Sequence, residues 1–189
     1  MLKKISIALA LLVLSNQLHA RGVDIKLAEK MAEINYLTES STFGYGGSDI
    51  GLGVFFNDAD DFQLQGQILI TGNPAGNNKS LQFGIGGKLL YSSLDAPNEK
   101  VGAMAVAAQL RYVIPSSTPV AFLGAIYYAP GITTFSNAEN FKEFLFAIEL
   151  EVTPSARAYL GYRNMEYEFG GNSVYTLDDS AHIGIKFDF

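Results

Sequence analysis

The residues best suited to chemistry in this 189-residue chain lie near its C-terminus. Asp178, Asp179 and Ser180 directly precede His182. A serine, a histidine and an acid are the groups that hydrolases and acyltransferases use for nucleophilic catalysis. His182 is the single histidine after residue 20, and one histidine beside acids is a weak signal. We therefore interpret His182 as a polar residue on the inner face of the last strand and assign no catalytic residue.

Two other patterns resemble ligand sites without their essential features. The acidic run 58–61, DADD, lacks the ligand spacing of a calcium-binding loop, so a solvated turn between strands is predicted there. The glycine pairs 51/53 and 84/86 precede no helix, so they do not form phosphate loops. The sequence predicts no metal site and no cofactor.

Residues 1–20 have the layout of a secretory signal peptide. Lys3 and Lys4 precede the apolar run 5–14, and Ala20 ends the polar stretch that follows. Cleavage after Ala20 leaves a single domain, residues 21–189. The apolar run is much shorter than the about 20 residues of a membrane-spanning helix. We expect an exported protein that has no spanning helix.

Charge and cysteine content exclude several classes of function. Without Lys3 and Lys4 the mature chain has 11 lysines and arginines against 19 acids, a formal charge of −8. Nucleic-acid binding requires clustered cations, so no nucleic-acid partner is expected. The chain has no cysteine, which excludes disulfides and thiolate metal sites.

Most of the mature sequence alternates apolar residues with small or polar ones. In the segment 81–92, Phe83 and Ile85 alternate with Gly84 and Gly86. This period of two predicts a strand with one apolar face. Ten strands are predicted, or eight with an N-terminal segment outside the wall, because the first two are weak. The ten are 23–29, 33–40, 49–57, 62–71, 81–92, 102–114, 119–129, 141–152, 156–167 and 180–189.

The apolar face is predicted to point outward. Small and polar residues fit a narrow barrel interior, whereas bulky apolar residues fit lipid tails. Open sheet edges are too costly in hydrocarbon, so the strands must close on themselves. The fold class is therefore a closed antiparallel transmembrane up-and-down β-barrel. Short turns such as 114–119 on one rim and longer loops at 93–101, 129–140 and 168–180 on the other are typical of outer-membrane barrels. Tyr91, Tyr112, Tyr128 and Tyr162 are expected at the membrane interfaces.

Four segments resemble one bacterial family. They are GGKLLY (86–91), IYYAPG (126–131), YLGYR (159–163) and HIGIKFDF (182–189). Over about residues 80–189 the chain resembles the YfaZ-type outer-membrane proteins. The resemblance implies a small outer-membrane barrel of a Gram-negative bacterium and carries over no catalytic residue. An alternating last strand ending in Phe189 also resembles the signal that the barrel-assembly machinery recognises.

The predicted inner face carries almost balanced charges. A selective pore is expected to have one sign of charge along its path, whereas balanced charges in a tight space pair. We therefore expect a filled, salt-bridged lumen. A hairpin turn at 153–155 is predicted to place Glu151 opposite Arg157 for an ion contact. The inward cations are Lys88, Arg111, Arg157, Arg163 and Lys186, and the inward acids are Glu143, Glu149, Glu151 and Asp188.

These predictions together indicate a monomeric outer-membrane protein with a structural, envelope-related or surface-presenting role. Its expected partners are outer-membrane lipids and lipopolysaccharide, besides the assembly machinery at Phe189. Three alternatives stay open: a narrow channel for small solutes, a lipid-modifying enzyme, and a soluble periplasmic ligand-binding barrel. One hypothesis is that acids at the longer-loop rim share divalent cations with lipopolysaccharide phosphates. Those acids are Asp95, Glu99, Glu139, Asp178, Asp179 and the run 58–61.

Overall fold

The computed structural model describes residues 22–40, 48–74, 80–171 and 173–189, and the predicted signal peptide lies outside these residues. Antiparallel β-strands make up nearly all of the described chain, with one turn of 3₁₀ helix at Gly131–Thr133. None of the helical structure in these ranges is long and apolar enough to cross a membrane. The strands are β1 Gly22–Leu27, β2 Met31–Ser40, β3 Ser48–Asn57, β4 Phe62–Gly72, β5 Leu81–Leu94, β6 Glu99–Ile114, β7 Val120–Ala129, β8 Thr134–Phe135, β9 Ala138–Thr153, β10 Ala156–Phe169 and β11 Ser173–Asp188.

Ten of these strands close into a barrel, as predicted. Each pairs with its neighbours in the order β1 to β7, then β9, β10 and β11, and β11 returns to β1. At this seam Val23 pairs with Phe187 on one side and with Tyr36 on the other. The short β8 pairs only with β6, outside the ring. The two weak N-terminal strands are therefore part of the wall, and the eight-strand alternative is wrong.

The two ends of the barrel differ. Gly22 and Asp188 are paired across the seam, so we call their end the terminal rim and the opposite end the loop rim. The long loops predicted at the loop rim are wrong in extent, because β5 continues to Leu94, and β11 already begins at Ser173. Above the apolar part of the wall the outer positions become polar, as at Lys142. Where the wall extends beyond the membrane into water, the outer positions of a β-strand need not be apolar. The strands therefore continue through segments that were predicted to be loops.

Bulky apolar side chains cover the outside of the barrel, which confirms the predicted orientation. Phe83, Ile148 and Ile185 are 48%, 42% and 46% exposed, so none lies at the centre of the molecule. On β9 the exposed apolar positions run from Phe144 to Val152. This distance corresponds to about 21 Å along the barrel axis at about 3.4 Å per residue and a tilt of about 40°. That height is close to the about 25 Å apolar band of outer-membrane barrels. The four tyrosines predicted at the interfaces, Tyr91, Tyr112, Tyr128 and Tyr162, all lie on this outer face.

Glycines on the inner face make room for large side chains from neighbouring strands. A Cβ atom at Gly184 would lie 2.1 Å from Cζ of Tyr159, and one at Gly161 would lie 2.6 Å from Nε2 of His182. The absence of a side chain at these positions makes room for the Tyr159 and His182 rings, which contact each other edge to face with centroids 6.0 Å apart. The small residues of the alternating pattern thus determine where the large inner side chains fit.

Candidate functional site

Apolar side chains fill the loop-rim half of the lumen. The side chains of Phe55, Phe141 and Tyr167 are fully buried, and the Phe141 and Tyr167 rings contact each other with centroids 4.8 Å apart. Ser92 and Gln63 each bond the Tyr167 hydroxyl, at 2.7 and 3.1 Å. We name this apolar set the plug. Its other members are Met31, Leu90, Leu94, Val101, Ala103, Ala129, Met165 and Leu177.

Asp61 holds the connections above the plug together. Its carboxylate is buried and accepts hydrogen bonds from the Asn57 amide at 2.7 Å, the Tyr175 hydroxyl at 2.8 Å and the backbone N–H of Asp95 at 2.8 Å. These donors belong to three separate parts of the loop rim. The prediction of a solvated turn at 58–61 is therefore wrong for Asp61, because its side chain points inward and not toward water.

The substitution Asp61→Ala is expected to lower the free energy of unfolding by about 2–3 kcal/mol, because it leaves three donors at a buried site without their charged acceptor. Asp58→Ala, at an exposed position of the same turn, is the matched control and should change stability by less than about 0.5 kcal/mol. The temperature at which the folded band disappears from unboiled gels measures both effects. Equal behaviour of the two variants would contradict the role given to Asp61.

A buried ion-pair network lies inside the barrel at the middle of its height. Glu33 accepts from Lys26 at 2.7 Å, from the Asn35 amide at 2.6 Å, and from Nη1 of Arg163. Nε of Arg163 donates to Asp178 at 2.7 Å. Arg163 and Glu33 are both completely buried. The network joins β10 to β2 across β11 and β1, and the Arg163 guanidinium lies over the Phe55 ring of the plug.

Further ion pairs lie toward the terminal rim. Lys88 contacts Glu143 at 2.6 Å, and its ammonium lies 4.5 Å from the centre of the Tyr127 ring. Arg111 donates to Glu149 at 2.8 Å. Each pair joins two strands that are not neighbours in the wall. The prediction that these charges point inward and pair is confirmed.

The predicted pair of Glu151 and Arg157 is correct in register but not in partner. The two residues are directly opposite on β9 and β10. The Arg157 guanidinium, however, donates to Asp188 on β11 at 2.5 Å. The β9–β10 ladder is irregular between Ala156 and Arg157, and the side chain turns toward its other neighbouring strand.

Sequence reasoning missed the contribution of the first two strands to the lumen. Lys26 and Glu33 were not among the predicted inward charges because 23–29 and 33–40 were weak strands. The signal was present, since Asp24 and Lys26 alternate with Val23 and Ile25. Charged residues at every second position of an N-terminal segment indicate an inner face as clearly as glycine does.

The structure separates the residues considered for catalysis. His182 is buried beside Tyr159, and neither of its ring nitrogens has a hydrogen-bond partner within the described ranges. The Ser180 hydroxyl donates to Asp178 at 2.6 Å and not to His182. Asp179 points outward and accepts from Tyr162. No serine–histidine–acid arrangement forms among these residues.

The hypothesis of an acidic, cation-binding loop rim loses two of its members. Asp61 and Asp178 both lie inside the barrel, where they accept from neutral donors and from Arg163 respectively. Among the residues described here, no group of three or more histidines, cysteines and acids is arranged to hold a metal ion. The carboxylates of Asp61 and Asp178 stabilise the fold from inside the barrel.

A cavity of about 340 Å³ occupies the other half of the lumen. It extends from Lys88 and Glu143 in the middle of the barrel to Arg157 and Lys186 at the terminal rim. Charged groups, amides and tyrosine hydroxyls form most of its lining. Segments 41–47 and 75–79, which join strands at this rim, lie outside the described residues. Within the described residues, the lumen therefore consists of a filled half and a polar, hollow half.

Two comparisons with known proteins match most of the chain. The family described as "YfaZ precursor" matches residues 2–189. Among solved structures the chain is similar to "NanC porin structure in rhombohedral crystal form", at 15% identity and a TM-score of 0.46 over 90% of this chain and 100% of the other. It is also similar to "KdgM porin", at 9% identity and a TM-score of 0.44 over 90% and 99%. A third similar structure, "Bacterial polysaccharide outer membrane secretin", is 8% identical with a TM-score of 0.44 over 89% and 69%. No curated protein matches. At these identities and scores, no ligand or role transfers from the three structures.

Proposed function

The chain belongs to the YfaZ family, and from this premise we propose that it is an integral outer-membrane protein with a closed lumen and a structural role in the envelope. The observation that carries the proposal is the filling of the lumen. The plug occupies the loop-rim half, and the buried network around Arg163 and Glu33 lies directly below it. A barrel that encloses so many packed side chains is suited to stability rather than to transport.

The outer surface supports the membrane location. Exposed apolar residues face outward along the wall, and a band of this kind is stable only against lipid. Closure between β1 and β11 satisfies the requirement that no ladder ends within hydrocarbon. Sedimentation with outer-membrane fractions after a carbonate wash tests this location. Release into the supernatant would favour the soluble periplasmic barrel.

The C-terminal strand supports a route of assembly. Phe187 and Phe189 are both exposed on the outside at the terminal rim, and β11 forms the closing seam with β1. We expect the barrel-assembly machinery to recognise this strand before closure. In the membrane, lipids and lipopolysaccharide are the expected contacts of the outer face, and the protein is expected to be a monomer.

Purified protein reconstituted into planar lipid bilayers should give no stepwise conductance. The reason is that the plug and the ion pairs leave the loop-rim half without space for hydrated ions. A general porin reconstituted in the same way is the positive control for insertion. Regular ohmic steps from the purified protein would overturn the closed lumen and favour the narrow channel.

A further inference from the structure

The terminal-rim cavity has the size of a small-molecule site. Its volume of about 340 Å³ corresponds to about eleven water molecules and lies within the ~300–1,000 Å³ range of ligand pockets. The plug closes the lumen at the loop rim, so the cavity reaches only the rim that carries the chain ends. A molecule of about one sugar unit fits this space.

The charges around the cavity compensate each other. Lys88 is paired with Glu143, and Arg111 with Glu149. A ligand with a net charge that lies between these pairs would have to break one of them or remain buried without a counter-charge, and either change is costly. The lining between the pairs is therefore suited to an uncharged ligand. Lys186 lies nearer the terminal rim, and no ion pair of its side chain occurs within the described residues. In total the lining contains the five acids Asp24, Glu33, Asp49, Glu143 and Glu149 and the five bases Lys26, Lys88, Arg111, Arg157 and Lys186.

One wall of the cavity carries hydrogen-bonding groups that the protein does not use. The amide oxygens of Gln67 and Gln82 accept from Tyr127 and Arg111, each at 3.3 Å. Within the described part of the chain, the NH₂ groups of these two amides and the whole amide of Gln109 have no partner. The three glutamines lie on the adjacent strands β4, β5 and β6 and line the same cavity.

A second wall carries acceptors. Glu143 and Glu149 on β9 line the cavity, and a carboxylate accepts more hydrogen bonds than a single lysine or arginine contact supplies. A hydroxyl group both donates and accepts. A molecule with several hydroxyls can therefore accept from the glutamines on one side and donate to the glutamates on the other.

We propose that the terminal-rim cavity binds an uncharged polyhydroxylated molecule of about one sugar unit. Its hydroxyls accept from Gln67, Gln82 and Gln109 and donate to Glu143 and Glu149. The binding site itself does not depend on the proposed function. Only the compartment that supplies the ligand depends on the proposed function, because a terminal rim that faces the periplasm takes its ligand from the periplasm.

Saturation-transfer NMR on the folded protein, in a detergent without a sugar headgroup, tests the proposal with three probes of matched shape: glucose, glucuronate and glucosamine. Glucose should show saturation transfer, and the anion and the cation should bind at least about tenfold more weakly. Gln109→Leu should weaken glucose binding about five- to tenfold, because it removes an uncharged hydrogen-bonding group and keeps the volume. Lys142→Met, on the outer face, is the control and should leave binding unchanged.

Gel mobility of the unboiled variants verifies that they are folded. If Gln109→Leu does not fold, Gln82→Leu takes its place in the binding measurement. No transfer from any probe, or stronger binding of glucuronate or glucosamine than of glucose, would overturn the proposal. So would unchanged glucose binding in a folded glutamine variant. Conductance in the bilayer experiment together with glucose binding would refute the closed lumen alone. A silent bilayer without glucose binding would refute this site alone.

Discussion

Replacement of Arg163 by methionine is expected to lower the free energy of unfolding by about 3–5 kcal/mol. The guanidinium donates to both Glu33 and Asp178, and it lies over the Phe55 ring with its central carbon 5.1 Å from the ring centre. Methionine keeps much of the packing but leaves the buried Asp178 carboxylate without its cation and Glu33 with Lys26 as its remaining ion partner. Most of the expected loss comes from the carboxylate charge that stays buried without compensation. The hydrogen bonds that are removed contribute less than this desolvation cost.

Urea titration of the protein in lipid vesicles measures this effect. The chain has no tryptophan, so far-UV circular dichroism or unboiled gel mobility must report the folded fraction. Lys142→Met is the matched control. It breaks the ion pair between Lys142 and Glu168, which are 3.3 Å apart near the surface, and it should lower the free energy of unfolding by no more than about 1 kcal/mol. Asp178→Asn added to Arg163→Met should recover about 1 kcal/mol or more, because it removes one stranded charge. Equal losses from Arg163→Met and Lys142→Met would contradict the importance of the buried network.

The faces of the strands could be predicted from the sequence, but the partners of the inner charges could not. Alternation alone determines that Lys88, Arg111 and Glu149 point inward, because the side-chain period of a strand is two. Their contacts join strands that are separated by one or two others in the wall. Which of these side chains meet depends on strand tilt and stagger, and neither is contained in the local pattern.

The division of the lumen into a filled and a hollow half was also not predicted. The inner face was treated as one set of residues, without regard to depth. Phe55, Phe141 and Tyr167 are bulky inner residues close to the loop-rim ends of β3, β9 and β10. Sorting inner positions by distance from the turns would have separated these aromatics from the glutamines nearer the other rim. All three aromatics lie within strands that were predicted, whereas Leu94, Val101 and Leu177, which also belong to the plug, lie in segments that were predicted to be loops.

The ion-pair network and the cavity have opposite requirements for their polar groups, and the barrel meets them at different depths. A buried network stabilises only if each charge has its partner, as Glu33 and Arg163 do. A binding site needs groups whose hydrogen-bonding capacity is not exhausted, as at Gln109. The plug excludes water from the network on one side, and the cavity lies on the other side, with Glu33 in its lining.

Arginine on the outer face should have an effect that depends on depth in the membrane. Ile148 lies at the centre of the apolar positions of β9, between Phe122 on β7 and Leu160 on β10, all of them exposed. Ile148→Arg should lower the free energy of unfolding in vesicles by about 2–4 kcal/mol, because the charge must enter hydrocarbon or distort the bilayer. Unfolding in urea followed by circular dichroism measures the loss.

Val152→Arg is the control, since it places the same side chain on the same face of the same strand, next to the terminal rim. There the guanidinium reaches the interface, and the expected loss is about 0–1 kcal/mol. In detergent micelles the difference between the two variants should shrink, because a micelle deforms more easily than a bilayer around a charge. A soluble barrel has water at both positions and would show no dependence on depth. Equal losses in vesicles would therefore contradict the assignment of lipid to the outer face, whatever the packing of the lumen.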